Sequence, residues 1–205
     1  MTLSSTRTVV ILGLFLVAAA CSSTKLVNHW QNPQYVPARF DRVMVIGVSQ
    51  QAGLRRSLED EFVARLAAEG VNAVPSYHFI PEEGQMPEAR LRAAVREANA
   101  DGILMTRLVR VERRTEVTPG SYTPVIDLYP WYSAAWFEHY EPPRVYQYDV
   151  YFSETTLYDV RQNQLVWSGT VQTTQPGNLN KEIKKYVTTV VRALKKENIL
   201  VVAAR

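Results

Sequence analysis

The sequence is poor in the residues that most catalytic and metal chemistry uses. It holds one cysteine, Cys21, and three histidines, His29, His78 and His139, in 205 residues. A single cysteine excludes an intramolecular disulfide framework and the cysteine-rich zinc sites. The histidines lack a ligand spacing such as H-E-x-x-H, and Glu138, His139 and Glu141 read as a solvated loop, so no metal is expected. Glycine is sparse as well, with nine residues. Residues 47–53 lie between a strand pattern and a helix pattern, where a phosphate loop would sit. They have neither the G-x-G-x-x-G spacing nor a G-K-[ST] ending. No serine stands in G-x-S-x-G, and the paired carboxylates Asp60-Glu61 and Glu82-Glu83 read as solvated charges. No catalytic residue and no cofactor is therefore expected, and an enzyme is the disfavoured class. The net charge is only +3 and no block of like charge occurs, which argues against a nucleic-acid partner.

A membrane-spanning run is also missing. The apolar stretch at 9–20 is shorter than the roughly 20 residues a transmembrane helix needs. It follows the cation Arg7 and ends in Ala18-Ala19-Ala20 before Cys21, the layout of a secretory signal peptide. The plain reading is a cut near Ala20 that leaves Cys21 as a bare thiol. A lone thiol exported to an oxidising compartment has no intramolecular partner and is a liability. The run Ala18-Ala19-Ala20-Cys21 resembles the lipobox of bacterial lipoproteins, with alanine at position 18 where leucine is more usual. That resemblance implies a diacylglyceryl group on the sulfur, cleavage before Cys21 and acylation of the new amine. Residues 1–20 are then the signal peptide. Ser22 stands where an aspartate would imply retention in the inner membrane, so the resemblance implies the outer membrane, facing the periplasm.

What remains has the composition of an ordinary globular chain, 46% hydrophobic and 21% charged. Residues 21–40 read as a lipidated leader with no sustained period. Fully extended, they reach roughly 60 Å at about 3.3 Å per residue. Trp30 and Tyr35 are expected to dock on the domain rather than lie at the membrane interface. From 41 to 205 a single domain is expected.

Within it, residues 42–49 form a continuous apolar run, a central strand. Residues 52–69 read as a helix with Leu54, Leu58, Phe62 and Leu66 at i, i+4 spacing, Val63 beside them, and Arg55, Glu59, Asp60 and Arg65 on the other faces. Gly70 stops it. A short strand at 71–75, a helix at 88–99 with a stripe of Leu91, Ala94, Val95 and Ala98, and a long strand at 103–117 follow. A strand at 145–159 changes apolar phase, which predicts a bulge near Ser153-Glu154. A turn at 161–164 leads into a strand at 165–174, expected to place Leu165, Trp167 and Val171 on one face. The last helix, to residue 198, is capped by Asn178 or Asn180. Its Ile183, Val187, Val190, Val191 and Leu194 form one stripe. Residues 199–203 suit an edge strand.

The expected fold is α/β (α+β): one mixed sheet of about five strands with three helices, in the order β-α-β-α-β, long loop, β-β-α. Right-handed crossovers are expected to set the first two helices on one face. Phe62, Leu66, Val187 and Val191 are the core candidates.

The long loop, 118–143, breaks the pattern. It carries five prolines and the aromatics Tyr122, Tyr129, Trp131, Tyr132, Trp136, Phe137 and Tyr140. A connection of this length is usually functional or disordered, and surface loops are normally polar. Exposed Tyr and Trp are what interfaces enrich, and prolines reduce the entropy lost on binding. These seven residues are the candidate contact surface, with Trp131, Tyr132 and Trp136 as anchors; a lid folded over the sheet and a disordered segment are the alternatives.

The segments PARFDRVMVIGVS, LRRSLEDEFVARLAAEGV, EANADGILMTRLV and LYDVRQNQLVWSGT, together with the lipobox, resemble small bacterial envelope lipoproteins of uncharacterised function. The succession over residues 40–200 is similar to the periplasmic α/β domain of CsgG, LpoB and the amino-terminal domain of TolB. What this implies is a non-enzymatic binding, accessory or assembly factor. It would be tied to the membrane by its lipid and engage an envelope protein. The alternative is a structural lipoprotein that self-associates as a homo-oligomer through its aromatic excursion or exposed strands. Replacing Cys21 with serine is expected to leave an unacylated form, soluble or unprocessed. Normal cleavage and outer-membrane fractionation of that variant would overturn the lipoprotein reading.

Overall fold

Residues 43–47 are buried without alternation, as a strand covered on both faces requires. The computed structural model describes residues 23–36, 39–80, 87–122, 127–134 and 140–200. Along the chain run β1 (Ser23–Gln31), β2 (Val43–Val48), α1 (Ala52–Ala68), β3 (Ala73–Pro75), a 3₁₀ turn (Ser76–His78), α2 (Glu88–Glu97) and β4 (Gly102–Thr118). Then come β5 (Ser121–Tyr122), α3 (Leu128–Ala134), β6 (Tyr140–Glu141), β7 (Arg144–Asp159), β8 (Gln164–Thr174) and α4 (Leu179–Lys196). The expected mixed sheet is present, with six strands in the order β1-β8-β7-β4-β2-β3. A separate ribbon pairs β5 with β6.

Strand order decides where the helices go. β3 and β4 flank β2 on opposite sides, both parallel to it. The crossover from β2 to β3 and the one from β3 to β4 therefore step in opposite directions, and right-handed connections then put α1 and α2 on opposite faces. This corrects the expectation of one face for both. On the first face, Phe62 and Leu66 of α1 and Val187, Val190, Val191 and Leu194 of α4 bury Val43, Val45, Leu104, Leu157 and Trp167. Phe62 meets Tyr186 edge-on at 6.1 Å. On the second, Ala94 and Val95 of α2, with Ala98 just past its end, cover Met44 and Ile46.

Three helices end by one device. Gly70, Asn99 and Asn198 take positive φ. The next amide then bonds back to the carbonyl five residues earlier, Val71 to Leu66, Ala100 to Val95 and Ile199 to Leu194, at 2.9–3.1 Å. Glycine and asparagine enter that region at least cost. At the start of α4 the Asn178 side chain accepts from the Lys181 amide at 3.1 Å.

The stretch expected to be a tether is instead part of the sheet. β1 pairs antiparallel with β8 from Ser23↔Thr174 to Gln31↔Trp167, with an irregularity between Leu26 and Asn28. Among the described residues the sheet is thus already present at 23, ahead of 41. Leu26 is the strand's one apolar residue packed on the core, too few to leave a period. The segment that follows is clamped: Asn32 donates its amide to Val166 O at 2.9 Å, and the Tyr35 hydroxyl donates to Asp159 at 2.9 Å. Tyr35 is docked and buried, whereas Trp30 is exposed.

Two bulges reset side-chain phase. Register slips in β4 between Leu108 and Arg110, so the irregularity expected in β7 near Ser153-Glu154 sits on its partner at Val109, opposite Phe152 and Ser153. A second slip makes Trp167 the partner of Leu157 and Leu165 the partner of Tyr158. Adjacent residues project to opposite faces, so Leu165 does not share the face of Trp167 as expected. Trp167 is fully buried; its indole donates to Glu197 at 2.7 Å, and its ring fills the space a side chain at Gly169 would need. Of the edge strand expected at 199–203, Ile199 and Leu200 are buried but not in a strand, and the rest lies outside the described residues.

Asp159 ties the entry segment to the β7–β8 turn. Burial acts to raise its pKa. Hydrogen bonds from Arg161, Tyr35 and the Gln162 amide, with the Arg161 charge, outweigh burial and hold the carboxyl below the ordinary value of 3.8. A depressed folded-state pKa adds stability above the unfolded value, and that stability is lost as pH falls through the folded one. Acid titration from about pH 5 downward should therefore destabilise the protein more steeply than Asp159→Asn, the unfolded reference being about 3.9. Equal slopes in urea melts across that range would remove this role.

Candidate functional site: a two-stranded arm and its aromatic tip

Strands β4 and β7 outrun their neighbours. β2 pairs with β4 only as far as Val48↔Arg107, and β8 pairs with β7 only from Val150 onward. Beyond Glu112↔Val150, residues 113–118 and 144–149 pair, among the described residues, only with each other within the sheet, ending at Thr118↔Arg144. At about 3.4 Å per residue the arm reaches roughly 20 Å past the sheet.

A bare two-stranded ribbon is marginal in water. This one continues a wider ladder, and ion pairs lace its base and its first rung. Arg107 places Nε and Nη2 on one oxygen of Glu154, at 2.9 and 2.7 Å. Arg113 reaches Asp149 at 3.1 Å. Hydrogen bonds from Arg110 and then Arg114 hold the Glu112 carboxyl below its usual range. The Arg110 guanidinium also lies 3.8 Å from the Phe152 ring centroid. Between these charges Leu108, Val109, Val111, Val117, Val145 and Tyr146 are exposed.

Past the arm, β5 and β6 pair through Tyr122↔Tyr140, and α3 follows β5. Pro130 falls in the first turn of α3, where a missing amide costs no helical bond. Leu128 is 71%, Tyr129 84% and Tyr132 60% exposed. These are large side chains for solvent, and none of the three belongs to either buried cluster. Of the expected site residues, Tyr129, Trp131 and Tyr132 thus share α3, while Tyr122 and Tyr140 are backbone partners in the ribbon. Trp136, Phe137 and Cys21 lie outside the described residues, Cys21 two positions ahead of β1.

A buried ionic network was not anticipated. Arg55 and Glu59, expected on solvent faces of α1, are 6% and 0% exposed. Glu59 Oε1 accepts from the Gly47 amide at 2.9 Å, Arg55 Nε at 3.0 Å and Ser76 Oγ at 2.7 Å, and Oε2 accepts from the Tyr77 amide at 3.1 Å. Arg55 Nη2 goes on to Ser76 Oγ and Ile80 O. The i, i+4 spacing of Arg55 and Glu59 is the signal that was available. The network lies at the carboxyl end of β2, where ligands of α/β sheets collect. Glu59 occupies the Gly47 amide that a phosphate would use and brings a like charge to it, so the network fastens β2, α1 and the 3₁₀ turn together. Elsewhere His29 lies 3.2 Å from Glu197 and His78 stacks edge-on against Tyr77. His139 is outside the described residues.

No protein-family profile matches the chain, and no curated protein does. Among solved structures, a PelC dodecamer from Paraburkholderia phytofirmans is similar at a TM-score of 0.46 and 17% identity, over 84% of this chain and 97% of that one. A PDZ domain protein from Parabacteroides distasonis follows at 0.40 and 7%, over 85% of this chain and 37% of that one. Likeness of this degree assigns no activity.

Removing one partner of the network strands the other charge. Glu59→Ala should cost about 3–5 kcal/mol in urea unfolding, and the pair Arg55→Met with Glu59→Leu should recover much of it. A Glu59→Ala cost near zero would mean the network does not hold these elements.

Proposed function

We propose that the chain is a lipid-anchored lipoprotein of the bacterial envelope, a non-enzymatic binding or assembly factor whose contact element is the tip of the β4–β7 arm. One observation carries this reading: Leu128, Tyr129 and Tyr132 stand exposed at the end of a paired arm that extends beyond the core. Tyrosines there offer large area at small entropy cost and keep a polar handle. The Cys21 anchor is supported by the lipobox and the lone cysteine. The similarity to CsgG, LpoB and TolB stands on sequence features. Among the described residues no helix is long and apolar enough to cross a membrane.

The second reading, a self-associating structural lipoprotein, is favoured by β1. Among the described residues it is an edge strand of nine residues with no strand on its outer side, and its Val27 and Trp30 are exposed. Open edges pair with other chains unless blunted.

A photoreactive residue at Leu128 in living cells should form adducts with an envelope component. Tyr129→Ser with Tyr132→Ser should reduce their yield while changing stability by no more than about 0.5 kcal/mol, as exposed sites do. An adduct of twice the chain's mass, lost on Val27→Lys, would support self-association. No adduct above background, or a large loss of stability in the double variant, overturns the tip as a contact element.

A further inference from the structure

The register of the sheet fixes where the anchor leaves relative to the tip. Ser23 and Val150 both pair with Thr174, one from each side, so they lie level across the sheet. β1 and β7 are each antiparallel to β8 and therefore run in the same direction. At Ser23 the direction of β1, taken toward the amino terminus, is the one β7 takes from Val150 back toward Arg144. That is the side on which the arm projects. Cys21 is two residues from Ser23, a reach of roughly 7 Å at about 3.3–3.6 Å per residue. The arm, at about 3.4 Å per residue, reaches roughly 20 Å beyond the same level.

We infer that the tip of the arm rests on the phospholipid surface beside the acyl anchor, with Leu128, Tyr129 and Tyr132 at headgroup depth. This names the partner of the contact element and rests on the lipoprotein reading. A 7 Å link holds the domain against the bilayer, so a longer arm on the same side meets the lipid. Tyrosine and leucine suit that boundary, where an apolar body is buried and a polar end stays wet. The arm cannot stand upright in hydrocarbon, because Arg113 with Asp149, and Glu112 with Arg110 and Arg114, would lose their water. The sheet therefore leans, laying the arm along the interface. The β7–β8 turn at Arg161 and Gln162, at the other end of β7, points into the periplasm.

Acylation uses the native thiol, so an introduced cysteine is uniquely labelled. Tyr132→Cys and, as the far-end control, Gln162→Cys replace exposed side chains. Each would carry an environment-sensitive fluorophore in the full acylated protein. The protein would be reconstituted in phosphatidylethanolamine–phosphatidylglycerol vesicles containing a lipid with a nitroxide near the headgroup. The label at 132 should be quenched severalfold more than that at 162, and should be shielded from aqueous iodide. Equal nitroxide quenching at both positions in vesicle-bound protein overturns the inference. So does iodide shielding at 132 without nitroxide quenching, since a protein then covers the tip while the contact-element reading stands. Mass spectrometry showing Cys21 unacylated in the cell-derived protein removes the lipoprotein reading and this placement together.

Discussion

The antiparallel ladder between β4 and β7 is the constraint on which the rest of the molecule depends. At one end, Gly102↔Asp159 sets the clamp that holds the entry segment. At the other, Thr118↔Arg144 launches the ribbon and α3. Between them Thr106 and Thr155 share a buried 2.8 Å hydrogen bond, and Thr155 bonds Tyr186 of α4 at 2.6 Å. Burial pushes the Tyr186 phenol up to about 12, so it remains a neutral hydrogen-bonding group. The ladder is thereby fastened to the first-face core by hydroxyls as well as by packing.

The bulge at Val109 marks the division of labour along that ladder. Up to Thr106, β4 alternates buried and half-buried residues under both helical layers; β4 sheds β2 after Arg107, just before the bulge, and β7 sheds β8 beyond Val150, just past it, where ion pairs replace the core. A bulge breaks one rung and increases local twist, which suits the point where a ribbon leaves a sheet. Exposed ion pairs contribute little each, typically 0–1 kcal/mol, so the arm draws its order mainly from continuity with the ladder. That arrangement presents Tyr129 and Tyr132 past a paired scaffold, outside both buried clusters.

Anchor and arm have a joint consequence. Because β1 is paired from Ser23 on, a lipid at Cys21 would hold the sheet near the bilayer in a restricted orientation rather than on a long leash. The edge of β1 and the tip of the arm then address different spaces. One lies along the side of the domain; the other is directed at the lipid.

The sequence alone determined most of the elements. The buried strand β2, the stripes of α1, α2 and α4, the stop at Gly70 and the long β4 and β7 follow from periodicity and turn chemistry, which act over a few residues. The aromatic concentration at 118–143 was equally legible, since composition is local. Tertiary structure decided what depends on distant partners. β1 needed β8 to supply its ladder, because Leu26 by itself leaves no period. The faces of α1 and α2 needed the strand order, since handedness has meaning only once β3 and β4 lie on either side of β2. Leu165 parted from Trp167 because a bulge is a property of a pair of strands. Arg55 and Glu59 are charged and so read as solvated. Burying them became tolerable only when Gly47 of β2 and Ser76, Tyr77 and Ile80 from the segment around the 3₁₀ turn met every charge with a hydrogen bond.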